Sequence, residues 1–170
     1  MGSINHTAII STEPLAVWHV LRRFGSVEEW HPEVTRSVIQ DGGVSGDGGS
    51  VRTLSHTSGE VTQERLLAIN NDSMTMTYGL VGSDRPLGNV MATVEIHAMP
   101  YSSYSLLNWT VDFDTTDERV ATTCESEIGK YLLNGLIGLA QHLEAELKVA
   151  ETVADLEVTC RTPIREAQAA

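Results

Sequence analysis

Strict alternation of apolar and polar residues is the clearest pattern in the middle of this chain. The apolar members of three such segments are Met74, Met76, Tyr78 and Leu80; Val90, Ala92, Val94 and Ile96; and Leu107, Trp109, Val111 and Phe113. Because a period of two places these side chains on one face of a strand, one face of the predicted sheet is buried and the other is wet. Seven strands are predicted in all: Asn5–Ser11, Val34–Gln40, Val51–Thr57, Val61–Ile69, Ser73–Val81, Asn89–Ala98 and Tyr104–Asp114. Short, turn-rich connections predict that most neighbours pair antiparallel.

A helical period replaces this alternation towards the end of the chain. Apolar residues recur every three or four positions from Asp117 to about Val149, which predicts one long helix. Two short helices, Leu15–Phe24 and Ser26–Trp30, are predicted between the first and second strands. The predicted order is therefore one strand, two short helices, six strands and a long helix, which is an α+β arrangement.

Gly135 and Gly138 lie inside the predicted long helix, although an interior glycine costs roughly 1 kcal/mol relative to alanine. One interpretation is close packing of the helix backbone on the sheet. The other is that the two glycines leave space beside the helix for a molecule that is not protein. The second interpretation predicts that both residues contact a ligand.

Length and charge narrow the classes of function. The 170 residues are most simply one domain over residues 1–149, followed by a tail, residues 150–170, that is predicted to be mostly disordered. The net charge of −12 makes nucleic acid and anionic membranes poor partners. Two cysteines far apart in sequence suit a reducing cytoplasm, and no stretch is typical of a signal peptide or a membrane span.

Several segments together resemble a known family. They are FGSVEEWHPEV (Phe24–Val34), GSVRTLSHTSG (Gly49–Gly59) and TQERLLAIN (Thr62–Asn70), with Tyr78, Trp109 and the closing helix. Over roughly Ile4 to Leu147 the chain resembles the START-like, helix-grip superfamily (also called SRPBCC or Bet v 1-like), and within it the polyketide cyclase/dehydrase-like branch. The resemblance implies an α+β helix-grip fold, in which a curved antiparallel sheet of about seven strands wraps around the long C-terminal helix and encloses a ligand cavity.

The resemblance also implies which side chains face that cavity. The polar residues expected to carry chemistry are Arg52, Glu64, His56, Tyr78 and Tyr131. The residues expected to contact the ligand are Arg36, Leu54, Met76, Leu80, Leu87, Val90, Ala92, Trp109, Val111, Gly135 and Gly138. Arg36 is the weaker member of this second set.

Each polar candidate also has a structural explanation. Arg52 and Glu64 form either an internal ion pair that fixes strand register or part of a ligand site, and the two interpretations weigh about equally. His56 is more often a hydrogen-bonded core histidine, but a carboxylate beside it would suit it to proton transfer. Tyr78 and Tyr131 are more often packing aromatics, whose buried hydroxyls need partners that a ligand carbonyl would supply.

The histidines give no sign of a metal site. The six are scattered without metal-ligand spacing, so no metal is predicted. One of them, His31, belongs to the Trp30-His31-Pro32 segment, for which we favour a structural role. Trp30 is expected to pack the short helices on the sheet, and His31 is expected at the cavity mouth.

Three functions fit these expectations. The resemblance favours an enzyme that carries out cyclisation, dehydration or related lyase chemistry on a polyketide-like or aromatic substrate without a cofactor. In that hypothesis Arg52 holds an oxyanion or carboxylate, and Glu64 or His56 moves the proton. The second function is a non-catalytic carrier of a small hydrophobic ligand, and the third is an interaction protein with an unused cavity. A homodimer is left open.

Overall fold

The computed structural model describes residues 2–40, 49–82, 87–115 and 117–150, and its elements follow the predicted order as far as the long helix. In chain order they are β1 (Gly2–Ile10), α1 (Pro14–Leu21), a 3-10 turn (Val27–Glu29), β2 (Val34–Ile39), β3 (Val51–His56), β4 (Val61–Asn70), β5 (Thr75–Gly82), β6 (Gly88–Ala98), β7 (Ser105–Asp114), α2 (Glu118–His142) and β8 (Leu147–Ala150). The predicted tail lies outside the described residues except for Ala150, which ends β8.

The eight strands of the described ranges form one curved antiparallel sheet in the order β2-β3-β4-β5-β6-β7-β1-β8. The long helix α2 packs on the inner face, where Leu132, Leu136 and Leu139 join the buried core. This arrangement confirms the helix-grip fold, with one strand more than expected. No helix in the described ranges is long and apolar enough to cross a membrane.

Alternation predicted the buried face of the later strands correctly. In β7 every second residue from Leu107 to Phe113 is buried, and in β6 the same holds from Ala92 to Ile96. Met76 and Tyr78 of β5 face the same core. Strands β2 and β4 depart from this simple alternation because each contains a β-bulge.

The bulges decide which residues of β2 and β4 point inward. The β2–β3 register shifts between Val34 and Arg36, so Ser37 is buried and Arg36 is exposed. The β4–β5 register shifts between Leu66 and Ala68, so Leu66 is buried while Ala68 faces solvent. Since a bulge adds one unpaired residue, it reverses the inward and outward positions that follow it. The expectation that Arg36 contacts the ligand is therefore wrong.

The long helix ends earlier than predicted. It stops at His142, whereas the sequence pattern continued to Val149. Glu144 has a φ of 52°, and the amide of Ala145 donates to the carbonyl of Ala140, which together form the Schellman type of helix end. Glycine usually occupies this left-handed position, so a glutamate there gave no signal in the sequence.

The residues beyond this stop form the eighth strand instead of a last helical turn. Leu147 pairs with Ile10 and Val149 pairs with Ala8, which places β8 beside β1. Both apolar side chains of β8 pack against the core cluster. Their spacing of two residues fits a strand as well as the end of a helix, and four residues are too few for periodicity to distinguish the two.

The short helical segments are also shorter than expected. Helix α1 ends at Leu21 and not at Phe24, and the second predicted helix is a 3-10 turn of three residues, Val27–Glu29. Trp30 is buried directly after this turn, where its ring lies 6.0 Å from that of Trp109. The predicted packing of Trp30 on the sheet side of the core is therefore confirmed.

Gly135 and Gly138 mark close packing and not a cavity wall, which corrects the ligand-contact prediction for both. A Cβ atom at Gly135 would lie 2.9 Å from the His31 ring and 3.0 Å from Trp109. A Cβ atom at Gly138 would collide with the carbonyl oxygen of Trp30 and lie 2.6 Å from Cδ of Pro32. The glycines therefore let α2 approach the segment around Trp30.

This packing predicts opposite effects for two alanine substitutions in α2. We expect Gly138→Ala to lower the free energy of unfolding by roughly 1–3 kcal/mol, because its methyl group meets backbone that has no room to move. Gly129→Ala is the control: its Cβ would lie 3.6 Å from the nearest atom, Nε2 of His6, so the gain in helix propensity should raise stability by up to about 1 kcal/mol. Urea denaturation of both variants tests the pair, and a stabilised Gly138→Ala protein would contradict the close packing.

Candidate functional site

A cavity of about 330 Å³ lies between the inner face of the sheet and α2. Its apolar wall comes from β5, β6, β7 and α2, with Leu87 just before β6, and consists of Leu80, Leu87, Val90, Ala92, Val111, Ile128 and Leu132. Its polar residues are Glu33, His56, Ser58, Glu60, Thr62, Glu64, Tyr78, Glu127 and Tyr131. A concave, mostly apolar space with a few converging polar groups is typical of a small-molecule site.

Nine of the residues proposed from the resemblance line this cavity: His56, Glu64, Tyr78, Tyr131, Leu80, Leu87, Val90, Ala92 and Val111. The other seven do not. Leu54, Met76 and Trp109 are buried in the core beside the cavity, Arg36 is exposed, and the two glycines of α2 are packed as described above. The seventh, Arg52, lies behind the cavity wall.

Arg52 is held on every side by protein. Only 5% of the residue is exposed, and its Nε and Nη2 atoms both donate to Oε2 of Glu64, at 2.7 and 2.6 Å. Its Nη1 donates to the carbonyl of Phe24 at 2.8 Å. The guanidinium carbon also lies 4.0 Å from the centre of the Phe24 ring and 4.8 Å from that of Tyr78. A cation with these partners is a structural element of the core, and it is not available to bind an oxyanion in the cavity.

Glu64 connects this buried cation to the cavity. It pairs with Arg52 across β3 and β4, and its side chain is 15% exposed. Both bonds from Arg52 go to Oε2, and Oε1 accepts no hydrogen bond from the described part of the chain. The ion pair therefore fixes the orientation of the carboxylate and leaves one oxygen for a ligand.

His56 and Tyr131 lie close together on the cavity wall. Nε2 of His56 is 2.8 Å from the hydroxyl oxygen of Thr62, which fixes the imidazole ring. The His56 and Tyr131 rings meet edge to face with their centres 5.8 Å apart. Burial, followed by the charge of Glu64, raises the pKa of Tyr131 well above its ordinary value. The phenol is therefore neutral at physiological pH and keeps its proton.

Tyr78 has the same character but is held more tightly. Its hydroxyl oxygen accepts a hydrogen bond from Nε1 of Trp109 at 3.1 Å. Burial is the main cause that raises the pKa of Tyr78 above its ordinary value, and the charge of Glu64 acts in the same direction. The two tyrosines therefore present neutral hydroxyl groups to the cavity.

Several cavity residues were not predicted. Thr62 stands two positions before Glu64 on the same strand, so alternation could have found it, and Ile128 and Leu132 belong to the apolar stripe of α2. Glu33, Ser58, Glu60 and Glu127 gave no such signal, because acidic and hydroxyl residues are common on any solvent-exposed surface. Their position in the cavity depends on how the turns and α2 meet the sheet.

His31, expected at the cavity mouth, is buried in the core and is only 1% exposed. Its ring stacks on Tyr131 with the centres 4.1 Å apart, and Nδ1 accepts a hydrogen bond from the amide of Glu33 at 3.2 Å. Burial lowers the pKa of His31 to about 4, although the nearby charge of Glu33 acts in the opposite direction. The ring is therefore neutral at physiological pH, and it supports the cavity from behind Tyr131.

Metal-ligating side chains do not gather anywhere in the described ranges: no three His, Cys, Asp or Glu residues there are placed to hold an ion. The site therefore consists of one ion pair, one imidazole, two neutral phenols and additional carboxylates around an apolar space.

Comparison with known proteins agrees with this geometry. The model of the family described as polyketide cyclase / dehydrase and lipid transport matches residues 1–144. A solution structure from Thermobifida fusca is 24% identical, with a TM-score of 0.73, and covers 82% of this chain and 91% of that chain. The protein XoxI from Bacillus cereus is 25% identical, with a TM-score of 0.69 and coverage of 83% and 94%. The Zhui aromatase/cyclase from a Streptomyces species is 16% identical, with a TM-score of 0.71 and coverage of 84% and 93%.

These findings confirm the resemblance stated from the sequence. At such identities the solved structures establish the shared fold, and the family match establishes the relationship over most of the chain. No curated protein matches the sequence.

The burial of Arg52 predicts strong coupling with Glu64. We expect Arg52→Met to lower the free energy of unfolding by roughly 3–5 kcal/mol, and Glu64→Gln to be destabilising as well, because each change leaves a charge without its partner. The double variant should recover much of the loss. A double-mutant cycle by urea denaturation measures the coupling.

The matched control for this cycle is the pair Arg23–Glu29, which has the same 2.6 Å separation but side chains that are 52% and 39% exposed. Solvent screening limits such a pair to roughly 1 kcal/mol or less. Equal coupling in the two cycles would contradict the structural role assigned to Arg52.

The lowered pKa of His31 predicts a loss of stability in acid. Between pH 6.5, the ordinary histidine value, and about 4, the unfolded chain binds a proton that the folded protein does not. The contribution of His31 to the free energy of unfolding should therefore be fully present above this window. It should fall by roughly 3 kcal/mol as the pH decreases through the window. Urea denaturation at several pH values, compared with His31→Gln, isolates the effect of this residue. His19→Gln, at an exposed site, is the control. If the free energy of unfolding changes with pH equally steeply in His31→Gln and in His19→Gln, other groups are responsible.

Proposed function

Because the chain belongs to the polyketide cyclase / dehydrase and lipid transport family, we propose that its cavity binds a small, mostly apolar molecule and catalyses a cofactor-free cyclisation or dehydration on it. The observation that carries this proposal is the convergence of a carboxylate, an imidazole and two neutral phenols on one apolar space of about 330 Å³. Proton transfer next to a carbonyl group requires these groups and no redox chemistry.

The roles follow from what each group can do. Glu64 removes a proton from the carbon next to a substrate carbonyl, because its free oxygen faces the cavity while Arg52 holds the other. The hydroxyl groups of Tyr78 and Tyr131 donate hydrogen bonds to the enolate oxygen that forms. In a dehydration, His56 gives a proton to the leaving hydroxyl group, so that one carbon loses a proton, its neighbour loses hydroxide, and water is released.

Arg52 acts in this proposal as a positioning residue and not as a catalytic one. Each of its three nitrogens contacts Glu64 or the carbonyl of Phe24, and Arg52 is not among the lining residues of the cavity, so the hypothesis that it binds a substrate oxyanion is not supported. Negative charge that develops on the substrate is stabilised by neutral hydroxyl groups, each of which contributes less than a buried cation would.

A second candidate function is binding without turnover. It is favoured by one observation: the described residues of the cavity wall include no lysine or arginine to stabilise an enolate. A carrier needs only the apolar wall and hydrogen-bonding groups that select the ligand. The two functions share one cavity and differ in whether Glu64 moves a proton.

The cellular setting is part of the same proposal. A net charge of −12 disfavours nucleic-acid partners, and the buried free thiol of Cys124 suits the reducing cytoplasm. A homodimer stays a prediction, which sedimentation equilibrium of the full chain tests.

Deuterium exchange distinguishes the enzyme from the carrier. In heavy water, we expect the protein to accelerate exchange of the protons next to the carbonyl of β-tetralone by roughly 100-fold or more, as general base catalysis allows. Proton NMR follows the exchange, and line broadening reports binding independently. Tyr131→Phe should slow the exchange at least about tenfold through the lost hydrogen bond, whereas Tyr104→Phe, at an exposed site, should not change it. Binding of the ketone without faster exchange would favour the carrier.

A further inference from the structure

The outer face of the sheet, on the side away from α2, carries a groove of about 440 Å³. Its lining residues come from the four neighbouring strands β4, β5, β6 and β7. Three large apolar side chains among them, Leu67, Val81 and Met91, are 50, 44 and 41% exposed. Exposed apolar side chains that gather on one surface are typical of a site where another protein binds.

One row of residues crosses this groove from strand to strand. Arg65 pairs with Gly79, Gly79 with Met91, and Met91 with Asp112. Because neighbouring strands lie about 4.8 Å apart, roughly 14 Å separate the backbone at the two ends of the row. Neither Arg65 nor Asp112 forms an ion pair within the described part of the chain. The row therefore has an unpaired cation at one end, an unpaired anion at the other, and glycine beside methionine in the middle.

Gly79 makes a recess at the centre of this row. A Cβ atom there would lie 3.3 Å from Cδ1 of Leu67, the residue that the β-bulge of β4 leaves unpaired. Met91, on the adjacent strand, protrudes next to the recess. Methionine is a flexible side chain that fills irregular gaps, and both methionine and arginine are enriched in protein interfaces. The row thus contains an apolar projection and a gap that can receive one.

We infer that the row Arg65-Gly79-Met91-Asp112, called the outer row below, joins two copies of this chain in a two-fold symmetric dimer. A two-fold axis in the plane of contact, parallel to the strands and between β5 and β6, reverses the order of the row in the second copy. Arg65 then faces Asp112 of the partner subunit, and Met91 faces Gly79 of the partner subunit. The symmetry makes each of these contacts twice.

The dimensions of stacked sheets suit this arrangement. Sheets that pack face to face lie about 10 Å apart, with their strands within about 30° of each other. A long side chain that faces a short one fills such a gap, and both contacts are of this kind: arginine faces aspartate, and methionine faces glycine. A copy turned about the other in-plane axis would instead place like charges opposite each other, so the charges select one orientation.

The net charge of −12 opposes the association of two copies at long range. At about 0.15 M salt the Debye length is about 8 Å, so this general repulsion is largely screened while facing ion pairs are affected much less. The inference does not depend on the proposed function, because the outer row and the cavity lie on opposite faces of the sheet.

Sedimentation equilibrium of the full chain at this salt concentration tests the dimer. We expect the native protein to dimerise below about 1 mM, the weak end of specific association. Arg65→Asp places two carboxylates opposite each other at both ends of the contact, and Asp112→Arg does the same with two guanidinium groups. Each variant alone should dimerise at least about tenfold more weakly than the native chain.

An equal mixture of these two variants gives the decisive result. In a mixed dimer the introduced aspartate faces the introduced arginine, and the native Asp112 faces the native Arg65, so the mixture should associate about as tightly as the native protein. Arg22→Asp, at an exposed position after α1, makes the same change in net charge as Arg65→Asp and should leave dimerisation unchanged.

The apolar contact has its own pair of variants. Met91→Ala removes the projection and should weaken dimerisation by about fivefold or more, because the recess at Gly79 is then left unfilled. Ile137→Ala is the matched control, since Ile137 is 39% exposed but lies on α2, and it should have no effect.

Several results would overturn the inference. A native chain that stays monomeric up to about 1 mM has no such dimer. A native dimer that tolerates Arg65→Asp and Met91→Ala uses another surface, and so does one whose two charge variants fail to associate when mixed. If Asp112→Arg does not fold, as judged by circular dichroism, Arg65→Asp and Met91→Ala against their controls decide alone. Ligand binding in the cavity is measured separately, so failure of the dimer leaves the proposed function untouched.

Discussion

The burial of one guanidinium group, that of Arg52, is the constraint on which much of the structure depends. A charge removed from water requires compensation at every face, and here the compensation comes from three directions: the carboxylate of Glu64, the carbonyl of Phe24 and two aromatic rings. The carbonyl contact ties the helical segment after β1 to the sheet. The carboxylate contact fixes Glu64, which joins the buried ion pair and also lines the cavity. Stability and site geometry therefore share one ion pair, and the same arrangement prevents Arg52 from serving a ligand.

The alternating and helical patterns of apolar residues predicted most of the fold because they report directly which side chains are buried. In strands such as β6 and β7, burial of one face determines which positions are apolar. They failed where backbone geometry and not burial decides the outcome. The bulge in β2 turns Arg36 outward, and the left-handed Glu144 ends α2 before β8. No glycine or proline marks either feature in the sequence, and each depends on strand pairing elsewhere in the chain.

The site was predictable to the extent that the resemblance placed residues on strands. His56, Glu64 and Tyr78 line the cavity as expected, because strand positions are fixed by register. Glu33 and Glu127 were missed because a glutamate in a turn or on a helix is ordinary at any surface. Gly135 was misassigned for a related reason: a glycine in a helix indicates that something comes close, but it does not tell whether that neighbour is protein or ligand.

The segment from Trp30 to Glu33 links these observations. The backbone of Trp30 packs on Gly138, the ring of His31 stacks on Tyr131, and Glu33 reaches the cavity, all within four consecutive residues. Because the amide of Glu33 donates to Nδ1 of His31, the neutral ring helps to set the direction of the chain that carries the acid. Protonation of His31 would remove this acceptor and place a charge against α2. The segment that packs the long helix on the sheet therefore also positions Glu33, so that protonation of His31 would disturb both the helix packing and the cavity wall.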